Sequence, residues 1–294
     1  MMKINIVMFV VTAAFFNAAF ADSPSVVTTI KPLYAVIVAV SRGAAHSELY
    51  LIVKGAGSPH HYRLTPCGCR AGQRADVIFA VGENFESFLT ALRADGRLIL
   101  METENLPHRR DYPQEEHEDK HHHGNIDSHI WLDPINGAHM AQVVADALSE
   151  VNPISKDVYQ RNAAAFREQM TALDAQISAI LKPVVGRPFL TFHDAYGYFI
   201  ERYGLSYEGA VSEAGFIRSR DFWRLKQDID AKKIVCVMTE PQFSQDVIAH
   251  LVADSKVKVG RLDPLGAEIP LAVNFYARLL KQMAEDFVEC LSAD

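Results

Sequence analysis

The stretch NPISKDVYQRNAAAFREQMTALDAQISAILKP, residues 152–183, decides how the chain is organised. Tyr159, Phe166, Met170, Leu173, Ile177 and Ile180 follow one another at steps of seven, four, three, four and three. Those steps keep one apolar stripe on one face of a helix. Asn152 can cap it, Pro153 suits its first turn and Pro183 stops it. About 30 residues at ~1.5 Å rise predict a rod of ~45 Å, long enough to join two lobes and restrict their hinge motion.

On both sides of this rod, short β-branched runs alternate with helical patterns. Before it, strands are expected at residues 25–30, 48–53, 76–81 and 97–101, with helices near 33–41, 66–74 and 85–92. After it, strands are expected at 187–192, 205–211, 233–238 and 256–262. The helices there fall near 195–203, 217–230, 245–254 and 272–290. Such alternation predicts an α/β class with parallel sheets covered by helices. The expected division is a signal peptide at 1–21, an N-terminal α/β lobe at 22–151, a connecting helix at 152–183 and a C-terminal α/β lobe at 184–294.

The first residues, MMKINIVMFVVTAAFFNAAFA, read as that signal peptide. Lys3 supplies the positive start, an apolar run follows, and Ala19-Phe20-Ala21 is a small-residue cleavage site. The apolar run is short for a membrane span of ~20 residues. The expectation is a soluble, monomeric protein exported to the periplasm. The formal net charge of -7 argues against nucleic acid as partner, because phosphate binding needs a basic face.

Histidine is concentrated in one place. Six of the twelve fall in PHRRDYPQEEHEDKHHHGNIDSHIW. Carboxylates surround them, and no packed core accepts such a composition. Residues 108–128 are therefore expected to form a solvated loop. Within it His117, His121, His122 and His123 are auxiliary metal contacts.

Four polar residues stand just past a strand or at a strand-to-helix turn, where open α/β sheets bind ligands. They are His60 in GAGSPHHYRLTP, His129 in DSHIWLDP, His193 in FLTFHDAYGYF and Asp263 in GRLDPLG. His61 competes with His60 for the first position, and Asp263 before a proline also suits a turn. Three imidazoles and a carboxylate form a donor set suited to zinc. With two from each lobe, the site is expected in the cleft between them.

Cys67, Cys69, Cys236 and Cys290 are the only cysteines. An exported chain permits disulfides. A Cys236–Cys290 bridge would staple the last helix to a core strand. Cys67 and Cys69 lie two apart and read as a soft metal pair, two free thiols or a small strained ring.

The segments GAGSPHHYRLTP, ADVIFAVGENFESFL, HIWLDP, FHDAYGYFIERYGL, TEPQF and LDPLG resemble, in order and spacing, the zinc-specific solute-binding proteins of bacterial ABC importers, the ZnuA type. The resemblance covers nearly the whole chain after the signal peptide. It implies two (βα)4 lobes joined by a long backbone helix, Zn2+ as transported ligand between them, and a His-rich loop before the second ligand. By motif it places the ligands at His60, His129 and His193. Asp263 falls where manganese binders of the wider group use Asp, and where zinc binders use it or a water. Cys236 and Cys290 match the disulfide pair of these proteins. The implied partners are a zinc ABC permease with its cytoplasmic ATPase, and a periplasmic zinc chaperone is a further candidate.

The alternatives are a manganese or iron receptor of the same group, a periplasmic zinc store or chaperone, and a zinc hydrolase. His193, where the manganese group favours Glu, argues against the first. No HExxH motif is present for the last. The chain also departs from the pattern. Pro66-Cys67-Gly68-Cys69 replaces Pro-Ser-Asp, which removes the capping Ser and Asp of the next helix. Gly72 interrupts that helix, Pro59 stands where some zinc members carry Glu, and GAVSEAGFIRSRDF is shorter than usual.

Overall fold

The computed structural model describes residues 24–44, 48–55, 57–92, 96–112, 126–212, 226–227, 229, 231, 233–242, 246–253 and 255–292. The expected signal peptide, His117, His121, His122, His123 and most of the helix expected at 217–230 lie outside them.

Among the described residues, eight strands form two parallel sheets of four. The first holds β1 (Val26–Thr28), β2 (Leu49–Leu51), β3 (Val77–Ala80) and β4 (Arg97–Leu100), ordered β2-β1-β3-β4. The second repeats this order with β5 (Phe189–His193), β6 (Tyr207–Ser212), β7 (Cys236–Thr239) and β8 (Lys258–Arg261), as β6-β5-β7-β8. Each expected strand has its counterpart, with bounds that differ by up to three residues; β5, β6 and β7 each run one residue further than expected. Burial on both faces explains the unbroken apolar runs of β3 and β7.

The helices with described bounds are α1 (Lys31–Ser41), α2 (Pro66–Arg74), α3 (Pro134–Val151), α4 (Lys156–Leu181), α5 (Gly197–Tyr203), α6 (Asp246–Val252) and α7 (Phe275–Leu291). α4 is the expected rod, opened and closed by 3-10 turns at Pro153–Ser155 and Lys182–Val184. Its buried stripe runs through Tyr159, Phe166, Met170, Leu173 and Ile177 to Leu181, rather than to Ile180. Asn152 does not cap by its oxygen. Its amide donates to Ser155 Oγ and Tyr159 Oη, both at 3.2 Å.

Three further expectations are corrected. Residues 85–92 form only a 3-10 turn, Ser87–Ala91. α2 does have a cap: Thr65 Oγ accepts from Gly68 N at 3.1 Å. Gly72 is a close-packing position, since a Cβ there would lie 2.6 Å from Leu92 Cδ1. α3 was not expected at all. Asp133 caps it, accepting from Ile135 N (2.6 Å) and Asn136 N (3.3 Å), with Pro134 in its first turn. It packs along α4, and α1 and α7 also lie against α4.

This helical layer makes the two sheets share one continuous apolar core. Trp131 Nε1 donates to Pro264 O at 2.7 Å, and Tyr276 Oη donates to Trp131 O at 2.5 Å. Lys31, at the start of α1, donates to the carbonyls of Gly266 (2.6 Å), Ala267 (2.9 Å) and Ile269 (3.0 Å). A Cβ on Gly137 would lie 2.4 Å from Tyr276 Oη. Gly137→Ala should therefore cost about 1–3 kcal/mol through overpacking. The check is the thermal midpoint of the metal-free protein, which should fall by several degrees.

Cys236 in β7 and Cys290 in α7 form a disulfide across 54 residues of sequence. Cys67 and Cys69 are free thiols on α2, the first exposed and the second half-buried.

Candidate metal centre

The polar residues of interest sit at or beyond the carboxyl ends of the strands, where the backbone turns and side chains can converge. His60 lies in a 3-10 turn, Pro59–His61, after β2. Ser87 Oγ donates to its carbonyl at 3.2 Å. His61 next to it is exposed, while His60 is half-buried and groups with the other two histidines. His193 is the last residue of β5. His129 precedes a 3-10 turn, Ile130–Leu132, that leads into α3.

These three imidazoles meet. One ring nitrogen from each lies within 4.8 Å of the other two. Ring centroids are 5.7 Å apart for His60 and His129, 5.5 Å for His60 and His193, and 5.2 Å for His129 and His193. His129 and His193 are buried. Phe85 stands edge-on to His60 at 4.7 Å and to His129 at 5.5 Å, fixing both rings from the apolar side. A cavity of about 20 Å3 lies among them, with Phe85 and Trp131 in its walls.

Each buried ring is oriented by a carboxylate. Asp127 Oδ1 lies 2.8 Å from His129 Nδ1 and also accepts from His129 N at 3.0 Å. Arg110 donates to the other oxygen of Asp127 at 2.8 Å. Burial alone would raise the Asp127 carboxyl, but His129 and Arg110 hold it below its ordinary value. Arg110 in turn donates to Glu201 (2.6 Å) and accepts no proton loss, because burial is outweighed by its acidic neighbours. Glu240 Oε1 lies 3.3 Å from His193 Nδ1 and accepts from Tyr196 Oη at 2.9 Å. Burial opposes a charge on His193, yet Glu240 lifts its pKa above the ordinary imidazole value. A carboxylate on Nδ1 draws the proton there and leaves Nε2 with its lone pair toward the cluster.

Asp263 does not join the group. It accepts from Leu265 N (3.1 Å), Ala267 N (2.5 Å) and Gln242 Nε2 (3.3 Å), which is the work of a turn residue. It lines a separate groove of about 870 Å3 between β8 and α7. His108, at the start of the expected loop, turns to Asp133 (Nδ1 to Oδ2, 2.5 Å), and His139 Nε2 pairs with Glu104 O at 2.8 Å. Cys67 and Cys69 stand apart from the histidines; Arg70 donates to Cys67 Sγ at 3.2 Å.

Sequence reasoning passed over Asp127, Arg110, Phe85, Glu240 and Gln242. Only weak signals were present, for three of them: Asp127 stands two residues before His129 in IDSHIW, and Glu240 and Gln242 lie in TEPQF after β7.

Two parallel four-stranded sheets and three converging imidazoles able to hold a cation are what this fold and geometry present. The family model of the zinc-uptake complex component A, periplasmic (ZnuA), matches residues 26–290, and the chain belongs to that family. It is 34% identical over 312 residues to the high-affinity zinc uptake system protein ZnuA of Brucella suis biovar 1, covering 92% of each chain. To the protein of that name from Yersinia pestis it is 32% identical over 300 residues, covering 94% of this chain and 93% of the relative. Among solved structures, a ZnuA crystal structure superposes with a TM-score of 0.77 at 25% identity, covering 92% of this chain and all of that one. The periplasmic zinc-binding protein TroA of Treponema pallidum shares the fold, with a TM-score of 0.77 at 21% identity and coverage of 92% and 100%.

Proposed function

We propose that this protein is the periplasmic zinc-capturing component of an ABC zinc importer. The observation that carries the reading is the convergence of His60, His129 and His193, contributed from both sheets, on one small buried cavity. Family membership supports it. Zn2+ exchanges its hydration shell for three neutral imidazoles. Asp127 and Glu240 keep the rings in the right tautomer and add negative charge behind them. In this reading residues 1–21 direct export and are removed, 22–151 and 184–294 act as the two lobes, and 152–183 connects them. The protein carries a cargo and catalyses nothing. It hands zinc to a membrane permease driven by a cytoplasmic ATPase. His117, His121, His122 and His123 serve as auxiliary collectors.

Titration calorimetry of the mature protein should show one tight zinc event per chain, plus weaker ions. Deleting residues 115–123 should remove the weak events and keep the tight one. Loss of the tight event with the deletion would move the principal site to the loop and overturn the reading. A strain lacking the protein should also grow poorly when zinc is scarce and recover with added zinc.

A further inference from the structure

Gln242 stands between the histidine cavity and the Asp263 turn. It lines the cavity with the three histidines, while its Nε2 donates to Asp263 Oδ1 at 3.3 Å. An ionised carboxylate only accepts, so the amide nitrogen must face Asp263 and the amide oxygen must face the other way. That oxygen, Oε1, is buried and meets no hydrogen-bond donor among the described residues. A buried acceptor left without a donor is costly, and native sites keep one where something outside the protein supplies the donor.

The anchor behind Gln242 is rigid. Asp263 is held by Leu265 N and Ala267 N, and the turn that follows is clamped by the three bonds from Lys31. Asp263 therefore reaches the cavity only through the amide of Gln242. The other candidate oxygen donors are committed elsewhere. Asp127 holds His129 and Arg110, and Glu240 holds His193 and Tyr196. Pro59 offers no side-chain donor atom beside His60.

We infer that Gln242 Oε1 is the acceptor for a water that completes the coordination of the cation held by His60, His129 and His193. The inference rests on the zinc reading above. Zinc favours four ligands, and three imidazoles leave one position for a small occupant. The cavity beside the rings is small, about 20 Å3, and admits no large occupant. Water on a dication is acidic and a strong donor, so it needs an acceptor at a fixed place. A neutral amide meets that need without adding an anionic ligand. The coordination sphere stays rich in nitrogen, which favours zinc over the harder manganese cation. Gln242 is thus a positioning residue that also sets selectivity.

The test uses the full mature protein with Gln242→Leu, Gln242→Glu and His129→Ala. Zinc affinity is read by chelator competition, and the coordination sphere by the visible bands of bound Co2+. Gln242→Leu should weaken zinc by about 10–100-fold and shift the Co2+ bands, with the metal-free thermal midpoint unchanged. Gln242→Glu should restore tight zinc binding and raise manganese affinity relative to zinc. Unchanged affinity and bands in Gln242→Leu, with binding abolished in His129→Ala, would overturn the inference and leave the zinc site standing. A loss of affinity that tracks a lowered midpoint, with unshifted bands, would mark a structural role and also overturn it. Tight binding that survives His129→Ala would overturn the zinc reading itself.

Discussion

Replacing His60 with alanine should weaken zinc binding by at least about a hundredfold, while His61→Ala should leave it within about threefold. The two residues are chain neighbours of identical chemistry, so composition and charge are controlled. They differ in where the 3-10 turn points them. His60 is half-buried against Phe85 and within reach of His129 and His193, and His61 is exposed. In the proposed site, removing His60 would take one of three nitrogen ligands from a small sphere, a larger loss than removing an outer partner. Chelator competition on the two variants, with their metal-free melting curves as control, gives the comparison. Equal losses would mean that the turn does not fix the direction of the pair in solution.

The second large effect concerns Glu86, a fully buried carboxyl between β3 and the 3-10 turn Ser87–Ala91. Its Oε2 accepts from Val81 N at 2.9 Å and Gly82 N at 3.0 Å. Burial outweighs those bonds and pushes its pKa from 4.5 up to about 8. Glu102 nearby, bonded to Ser128, is also raised by burial. A carboxyl with a raised folded pKa binds its proton more tightly in the native state than in the unfolded one. Its contribution to stability is complete below pH 4.5 and is lost as pH rises through 8. The loss is on the order of 5 kcal/mol at most. Glu86→Gln keeps an acceptor oxygen for the two amides and cannot ionise. Metal-free wild type should lose thermal stability between pH 5 and pH 8, and the variant should lose distinctly less. Parallel curves would show that Glu86 is not the group responsible.

The strands and the long helix were legible because their signals are local. A β-branched run buried on two faces reads as a strand wherever it falls, and the stripe from Tyr159 to Ile177 needs no partner to be seen. α3 was missed although Met140, Val144, Leu148 and Val151 stand at helical steps after Asp133-Pro134; the segment follows directly on the His-rich stretch, which dominates the reading there, and it packs along α4. At the candidate site, His60, His129 and His193 were legible as imidazoles beyond strand ends. Asp127, Glu240 and Gln242 were not, because a carboxylate or amide in a loop has many ordinary uses. Their roles arise only when the chain brings Asp127 to His129, and Glu240 to His193. Asp263 shows the reverse: its place after β8 was right for a ligand, and the local demand of the 263–267 turn absorbed both its oxygens.

The bonds that run from Trp131 to Pro264, from Tyr276 to Trp131 and from Lys31 to the 266–269 turn have a kinetic meaning. They hold the two sheets together directly beneath the histidines, so the ordering cost of bringing the rings into one place falls on folding and not on capture. A pre-assembled cage binds fast, with dehydration of the ion setting the pace, and it releases slowly when left alone. Under the proposed function, unloading such a carrier would take an external agent that strains the scaffold itself. The natural target of that strain is the belt of cross-sheet hydrogen bonds, whose loosening lets the imidazoles drift apart by the small distance that ends their cooperation.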